Sequence, residues 1–171
     1  MKELSFNNDV LPLKNQLYRL ALRLTLSHQE AEDIVQDTLI KVWNRREHWD
    51  EIDSMEAFAM RICRNISLDH LKLHENRNVS LDDVSVERPD TLVSPLEQLQ
   101  QQDHMQHLKN IVDALPEKQK VCMQLRDFEG KSYKEIASVL MVTEDQVKVN
   151  IFRARKTVKE RFLMLTGDQS G

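Results

Sequence analysis

The chain has 171 residues, of which 24 are Lys or Arg and 28 are Asp or Glu, so its formal net charge is −4. With only 3 glycines and no long alternation of β-branched and polar residues, the sequence excludes a largely β fold and predicts an all-α protein. It also lacks an apolar run long enough to cross a bilayer and the apolar core of a signal peptide, so we expect a cytoplasmic protein.

Three helices are predicted in the first part of the chain. Leucines at helical spacing over residues 13–24 indicate the first helix, and Ser27 opens a capping box at the start of the second. A polar connector, residues 48–53, leads to a third helix that is capped by Ser54. We expect these helices to form one bundle over residues 1–75.

The composition changes after this bundle. Residues 76–94 contain Asp, Ser and Pro without a sustained apolar period, which predicts a flexible acidic linker. Pro95 follows a Ser cap and restarts helical structure. A second helical domain is therefore predicted over residues 95–166, followed by a disordered tail, residues 167–171. Free in solution, the two domains are expected to move semi-independently unless a partner clamps them.

Two short helices joined by a tight turn are predicted near the end of the chain. Ser132 with Glu135, and Thr143 with Gln146, form two capping boxes eleven residues apart. The second helix has an apolar face, and its opposite face carries cations and an amide: Lys148, Asn150, Arg153, Arg155, Lys156 and Lys159. Any surface helix is charged outside, but this combination is typical of a helix-turn-helix that enters the DNA major groove.

The cysteines do not indicate a redox or metal site. Cys63 and Cys122 both fall in apolar helical patterns, so we expect reduced packing residues rather than a disulfide or a metal pair. No zinc-like Cys/His spacing occurs, and nothing resembles a nucleophile elbow or a phosphate loop. We therefore expect no metal, no cofactor and no enzymatic activity.

Several segments carry a family resemblance. Residues 115–119 (LPEKQ) and 128–133 (FEGKSY), with the helix-turn-helix, strongly resemble the promoter-reading C-terminal domain of bacterial sigma factors. Residues 31–43 (AEDIVQDTLIKVW) look like the helix by which sigma factors bind the coiled coil of the largest RNA polymerase subunit. Residues 58–71 (FAMRICRNISLDHL) are similar to the helix that reads and opens the −10 element. Two such domains and a short linker match the small extracytoplasmic-function (ECF) subfamily.

The resemblance implies three sets of binding residues. One face of the helix over residues 31–43 would bind core RNA polymerase through Asp33, Gln36, Asp37 and Lys41. The −10 DNA would be bound by Trp49, Arg61, Arg64, Asn65 and Lys72. The −35 DNA would be bound by Ser132, Tyr133, Lys134, Lys148, Val149, Asn150, Phe152, Arg153, Arg155 and Lys156.

Physical chemistry supports distinct roles within these sets. Asn65 can hydrogen-bond a base edge, while arginines hold phosphates. Trp49 is the aromatic residue expected nearest the opened strand, where base stacking contributes about 1–3 kcal/mol per base. We expect Trp43 and Phe58 to lie in the core instead.

The chain departs from the family pattern in the helix-turn-helix. Met141, in the turn, and Asp145 occupy positions where the family often has Gly, and a side chain at positive φ there costs about 1 kcal/mol or more. Val149 and Asn150 replace a frequent Ser-Arg pair. The exact −35 sequence therefore does not follow from the resemblance.

The resemblance implies a transcription initiation factor that directs core RNA polymerase to promoters and is held inactive by an anti-sigma factor. Two alternatives remain at this point. One is a sigma mimic or adaptor that binds an anti-sigma protein without starting transcription. The other is a one-component DNA-binding repressor, which would leave the acidic face of the helix over residues 31–43 unexplained.

Overall fold

The computed structural model describes residues 3–77 and 96–167, with the side chains of residues 76, 77 and 96–102 excepted. Within those two ranges the secondary structure is helical and contains no strand, which confirms the all-α prediction. Most of the predicted linker and the end of the predicted tail lie outside the described residues. The boundaries of the two domains and of the linker therefore stay predictions.

Within residues 3–77, three α-helices build the N-terminal half. A π-helical turn, Phe6–Val10, and a 3-10 turn, Leu11–Leu13, lead into α1, Lys14–Thr25. The remaining elements of this half are α2, His28–Asn44, a 3-10 segment, Arg46–Glu51, and α3, Met55–Arg77.

The predicted caps explain where these helices begin. The hydroxyl of Ser27 accepts a hydrogen bond from the Glu30 N–H at 3.2 Å, and that of Ser54 accepts one from the Ala57 N–H at 3.1 Å. Each bond satisfies one of the N–H groups that a helix leaves unpaired at its start. α1, α2 and α3 pack against one another around fully buried side chains, including Leu17, Leu20, Ile34, Val42 and Met60.

In the C-terminal half, residues 96–167 form four α-helices. They are α4, Leu96–Asp113; α5, Glu117–Met123; α6, Tyr133–Leu140; and α7, Glu144–Gly167. A π-helical turn, Gln124–Phe128, continues α5, and the chain then turns at Gly130, whose φ is +71°. α7 packs against α4, α5 and α6, so it is the central helix of this half.

The two halves share one hydrophobic core. α3 packs against α6, and Met60, Leu125 and Ile136 belong to a single cluster of buried side chains. The expectation that the domains are semi-independent is therefore wrong for this structure. Its physical reason is that α3 exposes an apolar edge beside its arginines, and the C-terminal half buries that edge.

Both cysteines are buried free thiols, as predicted. Cys63 Sγ donates a hydrogen bond to the Leu17 carbonyl oxygen at 3.3 Å. Burial raises the pKa of each thiol to about 12, with the nearby Glu117 carboxylate adding to the shift at Cys122. Both therefore stay protonated and unreactive at neutral pH, as expected of packing residues.

Candidate nucleic-acid and partner interfaces

The turn between α6 and α7 has the geometry of a helix-turn-helix. Ser132 caps α6 by accepting a hydrogen bond from the Glu135 N–H at 3.1 Å. The capping box of α7 is reciprocal: the Gln146 N–H donates to Thr143 Oγ1 at 3.1 Å, and the Thr143 N–H donates to Gln146 Oε1 at 3.0 Å. These caps fix where both helices begin.

Met141 closes α6 in the left-handed conformation predicted at this position, with φ of 56°. The Met141 N–H donates to the Ala137 carbonyl oxygen, and so does the Val142 N–H at 3.1 Å. Asp145 differs, because it lies in the first turn of α7 and is not among the residues with positive φ. Only the first of the two departures from glycine therefore strains the described backbone.

α7 separates its two faces as predicted. Val147, Ile151 and Ala154 are buried against the rest of the C-terminal half. The opposite face is exposed and contains Lys148, Val149, Phe152, Arg153 and Lys156. Because Phe152 is 67% exposed and Val149 44% exposed, this face offers apolar contacts as well as cations. Cations match base-edge acceptors and phosphates, and apolar side chains can contact a thymine methyl group.

An open depression of about 610 Å³ lies between α6 and α7. Tyr133 lies at its edge, with the Arg126 guanidinium 4.4 Å and Lys148 Nζ 5.6 Å from its ring centroid. Lys159 also lines the depression, although the predicted −35 set did not include it. Lys148, Arg155 and Lys159 recur at helical spacing on one face of α7, and this spacing would have assigned Lys159 to the −35 set.

Two predicted −35 residues have partners inside the protein. Asn150 is half-buried, and its Nδ2 donates to the Gln146 carbonyl oxygen at 2.8 Å. The Arg155 guanidinium forms an ion pair with the Asp127 carboxylate, and this hydrogen bonding raises the pKa of Arg155. Each side chain carries further N–H groups besides those used in these contacts.

The predicted polymerase-binding residues lie together on the exposed face of α2. Asp33, Gln36, Asp37 and Lys41 are all exposed, while the opposite face of the helix, including Ile34, is buried. The apolar side chains Ile40 and Trp43 are 56% and 44% exposed on the same helix. The sequence prediction did not assign Ile40 to this surface, where Ile40 and Trp43, three positions apart on the helix, are both exposed beside the acids.

The two tryptophans occupy the reverse of their expected environments. Trp43 was predicted in the core but is exposed, with the Arg46 guanidinium 4.5 Å from its ring centroid. Trp49 was predicted nearest the DNA strand but is only 8% exposed, and its Nε1 donates to the Val42 carbonyl oxygen at 2.9 Å. The physical reason is the 3-10 segment Arg46–Glu51, which turns Trp49 back onto α2.

The predicted −10 residues on α3 divide into two groups. Asn65 and Lys72 are exposed. Arg61 and Arg64 are half-buried and contact the C-terminal half: Arg61 Nη2 donates to the Ser138 carbonyl oxygen at 2.6 Å, and Arg64 pairs with the Glu117 carboxylate. The structure thus places Arg61, Arg64 and Asn65 within two turns of α3 but leaves only part of the set accessible.

Within residues 3–77 and 96–167, no helix is long and apolar enough to cross a membrane. In the same part of the chain, no three His, Cys, Asp or Glu side chains form a group that could hold a metal ion.

Comparison with protein families gives a match in each half. Residues 10–77 match the family described as Sigma-70 region 2, and residues 106–158 match the family described as Sigma-70, region 4. The first match contains α1, α2 and α3, and the second contains the helix-turn-helix.

Several curated proteins are similar over most of the chain. The probable RNA polymerase sigma factor RfaY of Xanthomonas campestris pv. campestris is 27% identical over 162 residues, which are 93% of this chain and 40% of that protein. The RNA polymerase sigma-H factor of Pseudomonas aeruginosa is 26% identical over 162 residues, covering 90% of this chain and 84% of that protein. This chain thus spans less than half of the first relative and most of the second.

Solved structures share the fold. The sigma factor RpoE, solved in complex with the anti-sigma factor NepR from Bartonella quintana, superposes with a TM-score of 0.69. The similarity covers 91% of this chain and 95% of that chain at 23% sequence identity. CnrH, solved with the cytosolic domain of CnrY, gives a TM-score of 0.63 at 20% identity and covers 95% of this chain and 88% of its own.

Proposed function

This chain belongs to the sigma-70 family of RNA polymerase sigma factors, and on that premise we propose that it directs core RNA polymerase to a specific set of promoters. Matches in the family's order across both halves, and ECF sigma factors among the similar proteins, place it with the ECF subfamily. Sigma factors are initiation factors rather than enzymes, so the polymerase supplies the chemistry. The proposed location is the cytoplasm, where promoter DNA is found.

The exposed face of α7 is the observation that carries this proposal. A capped helix whose apolar side is buried and whose outer side holds Lys148 and Arg153 has the form of a recognition helix. We propose that these two side chains contact guanine N7 and O6 in the −35 element. Ser132, Tyr133 and Lys134, at the start of α6, are assigned to backbone phosphates there, together with Arg155 and Lys156. Lys159, which lines the same depression, joins the phosphate contacts.

The exposed face of α2 is assigned to core polymerase. Its charged and amide groups, Asp33, Gln36, Asp37 and Lys41, suit a basic helical partner and would fix its register. Exposed Ile40 and Trp43 add apolar area within the same surface, which is the usual composition of a binding hot spot.

The N-terminal half is assigned to the −10 element. Asn65 is exposed on α3 and can hydrogen-bond a base edge, and Lys72 lies two turns further along the same helix. Trp49 is better explained as a structural residue, since its ring is buried and its N–H is occupied.

An anti-sigma factor is the proposed regulator of this chain. The solved RpoE and CnrH structures are complexes, the first named as one with an anti-sigma factor, and the fold similarity covers at least 91% of this chain. The groups available to such a partner are the exposed cations and apolar side chains of α7 and α2.

Run-off transcription with purified core polymerase and a library of promoter fragments tests the proposal. We expect specific transcripts that share an upstream −35 element. Asn65→Ala should impair promoter melting and Arg153→Ala should impair promoter binding, whereas Lys14→Ala, an exposed change on α1, should do neither. Core binding without any transcript would favour the sigma mimic, and the absence of core binding would favour the one-component repressor.

A further inference from the structure

The outward face of α7 is apolar at its centre. Val147, Ile151 and Ala154 form the buried side of this helix. At about 3.6 residues per turn, Val149 lies opposite that side, and Phe152 lies about 60° from Val149 around the helix axis. Both side chains are exposed. This apolar pair, Val149 and Phe152, therefore points away from the rest of the C-terminal half.

The apolar pair lies between the two cations that are assigned to guanines. Of the four residues between Lys148 and Arg153, one is buried and two form the apolar pair. The fourth, Asn150, is half-buried and lies about 100° from Val149 around the axis. Its Nδ2 donates to the Gln146 carbonyl oxygen at 2.8 Å, so the amide is turned back along the helix. The apolar pair therefore supplies most of the exposed side-chain surface between the two cations.

The chemistry of the major groove gives this apolar surface a specific complement. Among the four bases, thymine alone presents an apolar group there, its C5 methyl group. Aliphatic and aromatic side chains gain free energy by covering such a group rather than a hydrogen-bonding edge. Residues three apart on a helix have neighbouring side chains, so the apolar pair can cover one methyl group together. Val149 lies in the second turn of α7, in the part of a recognition helix that contacts base edges.

We propose that Val149 and Phe152 determine promoter specificity by binding the C5 methyl group of a thymine in the −35 element. The inference rests on the proposed function and deepens it, because it names a base that this chain selects. Lys148 and Arg153 contact guanines on either side of the apolar pair, and Lys156, one turn beyond Phe152, contacts the backbone. The −35 element of this chain therefore combines guanine with at least one thymine.

The test compares thymine with deoxyuridine in DNA that is bound by the full-length chain. The chain first selects its preferred duplexes from a random library. Each thymine of the selected element is then replaced in turn by deoxyuridine, which lacks the C5 methyl group but keeps the base pair and the O4 acceptor. Fluorescence anisotropy gives the dissociation constant of each duplex. Circular dichroism establishes that all protein variants keep their helix content.

We expect at least one replacement to weaken binding about fourfold, which is the effect of exposing one buried methyl-sized group. Val149→Ser should bind the thymine and deoxyuridine duplexes of that position equally, and Phe152→Ala should lower the ratio of their dissociation constants. Leu163→Ser is the matched control and should keep the parent ratio. Leu163 is also an exposed apolar residue on this face of α7, but it lies about 21 Å further along the axis.

A loss of affinity that persists unchanged in Val149→Ser or Phe152→Ala would overturn the proposal, because the methyl group would then act through DNA shape. A selected element in which no thymine depends on its methyl group would also overturn it. In both cases, specific DNA binding would still support the proposed function. If no sequence is enriched, the −35 assignment of α7 fails together with this inference, and run-off transcription tests promoter initiation separately.

Discussion

Trp43 and Trp49 meet edge to face, with ring centroids 6.2 Å apart and planes at 73°, yet only one of the two rings is buried. Trp49 is buried and hydrogen-bonded to the end of α2, whereas Trp43 is exposed and also contacts Phe6, with centroids 5.5 Å apart. One aromatic pair thus links the hydrophobic core to the surface assigned to core polymerase.

Truncating each tryptophan should therefore have a different consequence. Trp49→Ala should lower the free energy of unfolding by about 3–5 kcal/mol, because a large buried ring and its hydrogen bond are lost. Trp43→Ala should lower it by less than about 1 kcal/mol but weaken binding to core polymerase at least tenfold, as expected of a central aromatic contact. Urea unfolding and a core-binding titration measure the two effects. Equal loss of stability in both variants would contradict this division.

Met141→Gly should stabilise the protein by about 0.5–1 kcal/mol, since it removes a side chain from a left-handed backbone position. The Met141 side chain is 75% exposed, so little packing is lost. Asp145→Gly is the control and should have the opposite effect. It should lower the free energy of unfolding by about 1 kcal/mol, because residue 145 lies in a helix. Thermal unfolding of the two variants measures both changes, and a stability loss at Met141→Gly would show that the turn is not strained.

Arg153→Ala and Lys156→Ala should weaken −35 binding in distinguishable ways. Loss of a base contact at Arg153 should cost about 1–3 kcal/mol and relax the preference at one base pair. Loss of a phosphate contact at Lys156 should weaken binding to all sequences alike. It should also make the plot of log association constant against log salt concentration less steep by about 1. Binding assays at several salt concentrations, on matched and mutated −35 duplexes, separate the two. Identical profiles would reject the distinction between base and phosphate contacts.

The buried thiols should make the protein less stable in alkaline solution. The pKa of Cys63 and of Cys122 rises from 9.0 to about 12 on folding, so between these values the unfolded chain binds fewer protons than the native chain. The free energy of unfolding should thus be unaffected by the thiols below pH 9 and fall above it, by up to about 1.4 kcal/mol per pH unit for each thiol.

Lys and Tyr titrate in the same range, so the control is the double variant Cys63→Ala, Cys122→Ala. Urea unfolding between pH 8 and pH 11 should show a steeper fall in the parent chain than in this variant. Parallel curves would show that the thiols ionise equally in both states.

Local chemistry made much of the fold predictable. The serine and threonine caps at positions 27, 54, 132 and 143 are confirmed by their hydrogen bonds, because a cap depends on residues three positions apart. Val147 and Ile151 were correctly assigned to the buried face of α7, since helical periodicity depends only on local spacing.

Contacts between residues far apart in the chain could not be predicted from the sequence. An arginine pattern on α3 suits phosphates and carboxylates equally, so nothing in the chain indicated that Glu117 would be the partner of Arg64. The environments of the two tryptophans were predicted the wrong way round for a related reason. The direction of Trp49 depends on the 3-10 segment Arg46–Glu51, which the polar composition of the connector does not indicate. Ile40 was missed because an isolated apolar residue on a polar face is common on protein surfaces.

The length of α7 has a mechanical consequence. Its first turns carry the proposed DNA contacts, whereas Phe162, near its end, meets His104 of α4 with ring centroids 6.1 Å apart. The axis from Lys148 to Phe162 is about 21 Å long. Because α7 is one continuous helix, a tilt at the face proposed to bind DNA also moves Phe162 and its contact with His104.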